Sequence, residues 1–132
     1  MTDSIFTKII KGEIPCHKVY EDDKTIAFLD IHPVQSGMVL VVSKNQVSSV
    51  YDLSTDDYVG LWTTVKKIAE RLKEVFPNKK RICIQVEGLD VDHAHVKLFP
   101  IETCEEFRQE PDMQSEPDHE ALAKLAERLK IN

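Results

Sequence analysis

The sequence predicts an α+β domain in which a long helix and a C-terminal helix pack on an antiparallel sheet of about five strands. Short runs rich in β-branched and aromatic residues, separated by turn residues, are typical of antiparallel strands. Apolar residues from Tyr58 to Phe76 recur at three- and four-residue steps, which predicts a long amphipathic helix. A chain of 132 residues is long enough for one hydrophobic core, so residues 1–132 are expected to form a single domain.

The composition excludes several classes of protein. Seventeen Lys and Arg against 23 Asp and Glu give a net charge of −6, which disfavours binding to nucleic acid and to anionic membranes. The chain has no long apolar run and no signal-like start, so we expect a cytoplasmic protein without a membrane segment. Cys16, Cys83 and Cys104 are widely spaced, and we expect them to be reduced thiols.

The first third of the chain predicts a short helix and three strands. The helix is SIFTKII, which Gly12 and Pro15 end, and the strands are HKVYE, TIAFLDI and MVLVVS. The long helix follows Ser54, a suitable N-cap with an acidic first turn behind it, and Pro77 with Asn78 stops its pattern.

The last third begins with RICIQVEGLDVDHAHVKLFP, in which two strand-like runs flank a short connection at Gly88–Asp90 and predict a hairpin. The stretch from 102 to 118 is acidic and broken by Pro111 and Pro117, so we expect a surface segment. A final amphipathic helix after Asp118 closes the domain.

The candidate chemistry lies in the DHAHVK segment. Side chains alternate along a strand, so His93, His95 and Lys97 share one face, and we expect the imidazoles to face a cleft or solvent. Two exposed histidines and an ordinary surface lysine are the plainer interpretation. A metal site is a further alternative, but the ammonium of Lys97 disfavours a nearby dication. Phosphate chemistry fits the trio better, because an imidazole can attack phosphorus while a lysine neutralises the oxygens.

From Ser4 to Pro100 the chain resembles the histidine triad (HIT) proteins, in particular their Hint-like branch. Four segments carry the resemblance in the same order: SIFTKIIKGEIP, EDDKTIAFLDIHPVQSG, MVLVVSK and DHAHVKLFP. The family implies a HIT-like antiparallel α+β fold, normally a homodimer, that binds purine nucleotides and transfers or hydrolyses their α-phosphoryl group.

The resemblance also implies roles for individual residues. His95, at the middle triad position, matches the nucleophile, His93 occupies the first position, and Asp30 matches the acid that holds the ribose hydroxyls. The walls of the base pocket correspond to Phe6, Ile9, Phe28 and Ile31, which could equally be plain core residues. In a homodimer of this branch, the candidate contacts on the long helix are Leu61, Trp62 and Val65.

Three departures from the family pattern concern the site. Lys97 stands at the third triad position, where most members have histidine, and Met38 replaces an upstream histidine. Ser4, Thr7 and Gln46 replace two cysteines and a histidine that bind zinc in some bacterial members, so we expect no metal.

Two hypotheses follow. The first is a hydrolase or transferase that acts at the α-phosphorus of purine nucleoside phosphoramidates or related conjugates through a nucleotidyl-histidine intermediate, without a cofactor. The alternative, motivated by Met38 and Lys97, is a nucleotide-binding or interaction protein with weak or no catalysis.

Overall fold

The computed structural model describes residues 2–132, whose five strands form one sheet in the order β1-β2-β3-β5-β4. The elements are α1 (Ile5–Ile10), β1 (Lys18–Glu21), β2 (Thr25–Leu29), β3 (Val39–Ser43), α2 (Thr55–Val75), β4 (Arg81–Gln85), β5 (His95–Ile101), α3 (Cys104–Phe107) and α4 (His119–Leu129). All neighbouring strands are antiparallel. The predicted fold class is confirmed.

The main core lies between the sheet and the two longer helices. Strands β3 and β5 supply Val39, Val41, Val96 and Leu98 to it. The helices α2 and α4 contribute the buried side chains Leu61, Val65, Ile68, Leu72, Leu122, Ala126 and Leu129. Burying one large aliphatic side chain stabilises a fold by about 1.5–3 kcal/mol, so this layer fixes α2 and α4 on the sheet.

This packing corrects two of the three dimer contacts predicted on the long helix, Leu61 and Val65. Leu61 and Val65 are 0% and 6% exposed and pack against the protomer's own sheet, so they cannot meet a second copy. Trp62 is partly buried at the border of the same core. The apolar stripe of α2 therefore serves the fold of one chain.

The opposite face of the sheet is covered by α1. Phe6 packs there with Ile26, Phe28, Leu40 and Val42, while Ile9 lies partly buried beside them. The strand register places His95 opposite Val42 and Lys97 opposite Leu40. Residues directly opposite each other in an antiparallel pair share a face. His95 and Lys97 therefore lie on the α1 face of the sheet.

The helix starts follow the capping residues that the sequence offers. The side chain of Ser54 accepts a hydrogen bond from the Asp57 amide, and the side chain of Asp118 accepts one from the Ala121 amide. Gly37, in the turn before β3, has φ +91°, and a Cβ there would lie 2.7 Å from the ring of Phe76. Glycine is therefore required for the turn that brings β3 back along β2.

The structure differs from the sequence prediction around the hairpin. β4 and β5 are paired as expected, but the connection runs from residue 86 to residue 94, and His93 precedes the strand. The acidic segment contains the short helix α3, whose Phe107 stacks on Phe99 with ring centroids 5.7 Å apart. No helix within residues 2–132 is long and apolar enough to cross a membrane.

Candidate active site

His95 is buried at the start of β5, beneath α1. Its Nδ1 lies 2.5 Å from the carbonyl oxygen of His93, and its ring meets that of Phe6 edge to face at 4.9 Å. A carbonyl only accepts, so Nδ1 carries the proton and Nε2 keeps a lone pair when the ring is neutral. Burial lowers the pKa of His95, although the bond to His93 partly opposes this. Burial thus favours the neutral imidazole, in which Nε2 is the nitrogen that keeps the lone pair.

His93 is enclosed completely and bonded at both ring nitrogens. Its Nε2 lies 2.6 Å from the carbonyl oxygen of Ser43, and its Nδ1 lies 2.6 Å from Oγ of Ser4. The carbonyl accepts, so Nε2 donates, and Nδ1 of the neutral ring accepts from the Ser4 hydroxyl. Burial lowers the pKa of His93, while the bond to Ser43 opposes that change. The ring and carbonyl of His93 are held in one orientation.

The prediction that both imidazoles face a cleft or solvent is wrong. His93 and His95 are 0% and 4% exposed, because Phe6 on α1 lies against both rings. The alternation along β5 itself is confirmed, since Val96 and Leu98 enter the opposite core. Sequence alternation identified the shared face, but not the short helix that covers it.

Hydrogen bonds join the three residues that stand where some bacterial relatives bind zinc. Oε1 of Gln46 accepts from the Ser4 amide at 2.9 Å and from the Thr7 hydroxyl at 2.5 Å. Nε2 of Gln46 donates to the Thr2 carbonyl at 2.9 Å. Zinc prefers thiolate and imidazole ligands, so this set of hydroxyls and an amide does not fit that metal. The network instead anchors α1 and extends to His93 through Ser4.

Lys97 forms an ion pair with Glu87, a residue that sequence reasoning did not single out. Nζ of Lys97 lies 3.1 Å from Oε1 of Glu87, and the two side chains are 18% and 23% exposed. Burial opposes ionisation of Glu87, but the close contact with the positive charge of Lys97 outweighs it and lowers the pKa of Glu87. A negative and a positive charge therefore lie side by side, close to His95.

The predicted base pocket is brought together in part. Phe6 and Phe28 contact each other edge to face at 5.6 Å, and Ile9 borders them, all near the histidines. Ile31 is 42% exposed, and with Asp30 it lines a cavity of about 610 Å³ that reaches α4. The structure does not bring these two residues into contact with the histidines, and no hydrogen bond among the described residues joins Asp30 to either ring.

The carboxylate of Asp30 is already partly engaged. Its Oδ1 accepts a hydrogen bond of 2.8 Å from the amide of His32, which closes a turn after β2. A carboxylate offers about four acceptor positions, so Oδ2 and one lone pair of Oδ1 stay open for a ligand. Asp30 can therefore still accept hydrogen bonds from a diol.

The loop before the triad turns one acidic side chain away from the site. The Asp92 carboxylate accepts a hydrogen bond from the hydroxyl of Ser48, while the His93 amide donates to the Val91 carbonyl at 2.9 Å. The amides of Asp90, Val91 and Asp92 have no hydrogen-bond acceptor within the part of the chain that the structure describes. Adjacent free amides of this kind can bind an anion.

Met38, at the position of a family histidine, has become part of an apolar cluster. It is buried against Phe99 and Ile101, and its sulfur accepts a contact of 3.4 Å from the Val34 amide. Apolar packing replaces the polar contact expected from a histidine at this position.

Sequence reasoning missed the partners that orient the site. Ser4 lies 89 residues from His93, and the Ser43 carbonyl lies 50 residues away. Ser4 is the N-cap of α1, and a serine before a helical segment is typical of that role. Capping preference does not predict that the same hydroxyl also contacts His93. Glu87 beside Gly88 resembled a turn residue and gave no signal of its own.

Comparison with known proteins identifies the family of this chain. Residues 11–103 match the model of the HIT domain. The adenosine 5'-monophosphoramidase hnt1 of Schizosaccharomyces pombe is 36% identical over 100 residues, which cover 73% of this chain and 72% of that protein. The Bacillus subtilis protein hit is also 36% identical over 100 residues, covering 73% of this chain and 69% of that protein.

Solved structures give the same result. A Hit-like protein from Bartonella henselae, described as involved in cell-cycle regulation, superposes with a TM-score of 0.81 at 28% identity, covering 97% of this chain and 95% of its own. The Streptococcus mutans protein SMU.412c has a TM-score of 0.74 at 36% identity, covering 96% of this chain and 83% of its own. The sequence match and the shared fold together make this chain a member of the HIT-domain family.

Proposed function

We propose that the chain is a hydrolase or nucleotidyl transferase that acts at the α-phosphorus of purine nucleoside phosphoramidates or related nucleotide conjugates. The observation that carries this proposal is the state of His95. The ring is buried, Nδ1–H is fixed on the His93 carbonyl at 2.5 Å, and no described residue forms a hydrogen bond with Nε2. A neutral imidazole with a fixed, unengaged lone pair is a nucleophile ready for phosphorus.

The reaction would proceed in two displacements. Nε2 of His95 forms a bond to the α-phosphorus while the P–N bond breaks, and the departing nitrogen keeps the electron pair and takes a proton. Water, or another acceptor, then attacks the nucleotidyl-histidine intermediate and releases the nucleotide and the free imidazole. As positive charge forms on His95, the His93 carbonyl at Nδ1–H stabilises it.

The neighbours of His95 suit that chemistry. His93 would act as a positioning residue, since both of its ring nitrogens are bonded and its carbonyl orients the nucleophile. The ammonium of Lys97 would bind the non-bridging phosphoryl oxygens, which gain charge in the transition state. The free amides of residues 90–92 are a second candidate contact for the same oxygens.

The names of relatives favour the same reaction class. Proteins of Schizosaccharomyces pombe and Candida albicans, 36% and 37% identical to this chain, are both named adenosine 5'-monophosphoramidases. We extend that activity to this chain as a proposal. For the nucleotide itself, we propose that Phe6, Ile9, Phe28 and Ile31 contact the base and that Asp30 binds the ribose hydroxyls.

The test is incubation with adenosine 5'-phosphoramidate and measurement of AMP release. We expect turnover by the wild type and its loss in His95→Ala and His95→Asn. Nucleotide affinity should change little, because the proposed base and ribose contacts lie on α1, on β2 and in the turn after β2. Phe99→Leu, a substitution in the neighbouring apolar cluster, is a control for general disturbance of β5. Turnover retained without His95 would refute the mechanism.

A binding protein with little catalysis is the second candidate, because Met38 and Lys97 replace two family histidines. It would bind AMP in calorimetry but release none from the phosphoramidate. The same experiment therefore separates the two functions.

We also propose that the chain forms a homodimer. β4 is paired on one side only, and its apolar residues Ile84 and Val86, the latter just beyond the strand, are 43% and 40% exposed. A strand with one unpaired edge and exposed apolar side chains is a surface on which a second copy can extend the sheet. We therefore propose the dimer contact at the edge strand rather than on the buried stripe of α2.

A further inference from the structure

The ion pair between Lys97 and Glu87 gives the candidate site two opposite charges. Lys97 extends from β5 on the face of His95, and Glu87 lies just after β4. Nζ and Oε1 are 3.1 Å apart, although the contact is not aligned as a hydrogen bond. Oε2 of Glu87 accepts from the Leu89 amide at 3.2 Å. Glu87 is therefore held by the loop with one buried oxygen towards the site.

A purely anionic substrate fits this pair poorly. When the phosphoryl oxygens bind Lys97, the carboxylate of Glu87 loses its cation and lies near new negative charge. A carboxylate that is less than one quarter exposed recovers little of that loss from water. Asp92 does not add to the problem, because its carboxylate is turned to Ser48. Glu87, in contact with Lys97, is thus an acid that a phosphoryl group bound by Lys97 would meet.

We propose that Lys97 and Glu87 together select a zwitterionic substrate, a nucleoside phosphoramidate whose leaving amine carries a second, cationic group on a short spacer. The phosphoryl oxygens take the place of Glu87 on Lys97, and the distal ammonium takes the place of Lys97 on Glu87. Each charge of the ion pair exchanges one partner for another. Glu87 is then a specificity-determining residue of the site, an inference that rests on the proposed function.

The distal ammonium takes no part in bond making. His95 displaces the proximal nitrogen, which leaves with its electron pair and takes a proton, and water then resolves the intermediate. The cation contributes only through its contact with Glu87. Its effect should therefore appear as a preference between substrates that are otherwise alike.

Two synthetic conjugates test this. One is the adenosine 5'-phosphoramidate of diaminobutane, which ends in an ammonium, and the other is that of pentylamine, in which a methyl group replaces the ammonium. With the wild type we expect kcat/KM to be about tenfold higher for the ammonium substrate, as for one charge-assisted hydrogen bond in a partly buried site. Glu87→Gln should reduce that ratio to within about twofold, because the neutral amide keeps the shape but loses the charge.

Two further variants separate the effect of a negative charge at position 87 from that of a negative charge elsewhere. Glu70→Gln removes one negative charge from the exposed surface of α2, on the other side of the sheet, and should keep the wild-type ratio. Glu87→Asp keeps the charge on a shorter side chain and should retain part of the preference for the ammonium substrate. This variant also provides a test if Glu87→Gln folds poorly.

Equal rates on both substrates with the wild type would overturn the proposal, as would a ratio that Glu87→Gln leaves unchanged. Cleavage of neither substrate would contradict the proposed function instead. In that case calorimetry with the two intact conjugates tests the inference. Tighter binding of the ammonium conjugate that depends on Glu87 supports it, and equal affinity for the two conjugates overturns it.

Discussion

The contact between Ser4 and His93 can be measured by replacing Ser4 with alanine, with a second serine as the reference. Ser4 caps α1 by accepting from the Thr7 amide at 3.0 Å, and Ser54 caps α2 by accepting from the Asp57 amide at 3.2 Å. Loss of such a cap costs about 0.5–2 kcal/mol of stability. Ser54→Ala therefore gives the cost of the cap alone.

Ser4→Ala removes a second bond in addition. Nδ1 of His93 lies 2.6 Å from the Ser4 hydroxyl, and His93 is fully buried. Without that hydroxyl, Nδ1 would have no hydrogen-bond donor. An unsatisfied buried acceptor costs about 1–3 kcal/mol. We expect the free energy of unfolding to fall by about 1–3 kcal/mol more in Ser4→Ala than in Ser54→Ala. Ser4→Thr, which keeps the hydroxyl, should recover most of the difference.

Urea unfolding at pH 7.5, followed by fluorescence of the single tryptophan, provides the measurement. The slope of free energy against urea must stay the same in all variants, so that the midpoints report stability alone. If Ser4→Ala costs no more than Ser54→Ala, the hydroxyl does not support His93 and the argument for a fixed first triad position fails.

Three further predictions concern charge, pH and assembly. On adenosine phosphoramidate, Lys97→His should keep or raise kcat/KM, whereas Lys97→Glu should lower it by about tenfold or more, because the carboxylate repels the phosphoryl oxygens. If both variants change kcat/KM by less than about threefold, Lys97 lies outside the site. Burial lowers the pKa of His93 and of His95, so below about pH 6.5 the unfolded chain binds more protons than the folded chain. In urea unfolding, the free energy of unfolding should therefore be highest above about pH 6.5 and should fall as the pH drops below it. A flat profile from pH 7.5 to 5.5 would contradict buried neutral rings. Light scattering at micromolar concentration should give the mass of a dimer for the wild type and of a monomer for Ile84→Lys, and a monomeric wild type would refute the assembly while leaving the fold untouched.

The sequence was most informative where local chemistry decides the structure. Ser54 and Asp118 specify the starts of α2 and α4 because each side chain satisfies an amide of the first turn. The alternation from His95 to Lys97 defines a face because a strand has a period of two. These rules need only neighbouring residues, so they held in the structure.

Contacts between distant segments could not be derived in the same way. The loop after β4 determines where Glu87 points, and its conformation includes Gly88 at φ +66°. The burial of His93 and His95 depends on how Phe6 of α1 docks on the sheet. Neither arrangement follows from residue spacing, because each combines a loop conformation with packing across the chain.

The lysine at the third triad position affects the proposed nucleophile, His95, as well as the proposed contact with the phosphoryl group. Burial is the main reason that the pKa of His95 lies below its ordinary value, and the charge of Lys97 acts in the same direction while Glu87 opposes it. A neutral histidine at position 97 would contribute no such charge at pH 7. The charge of Lys97 can therefore attract an anion and also favour the unprotonated form of His95. The opposite charge of Glu87 weakens both effects. Lysine at position 97 is therefore compatible with the proposed role of His95, because its positive charge attracts an anion and also lowers the pKa of His95.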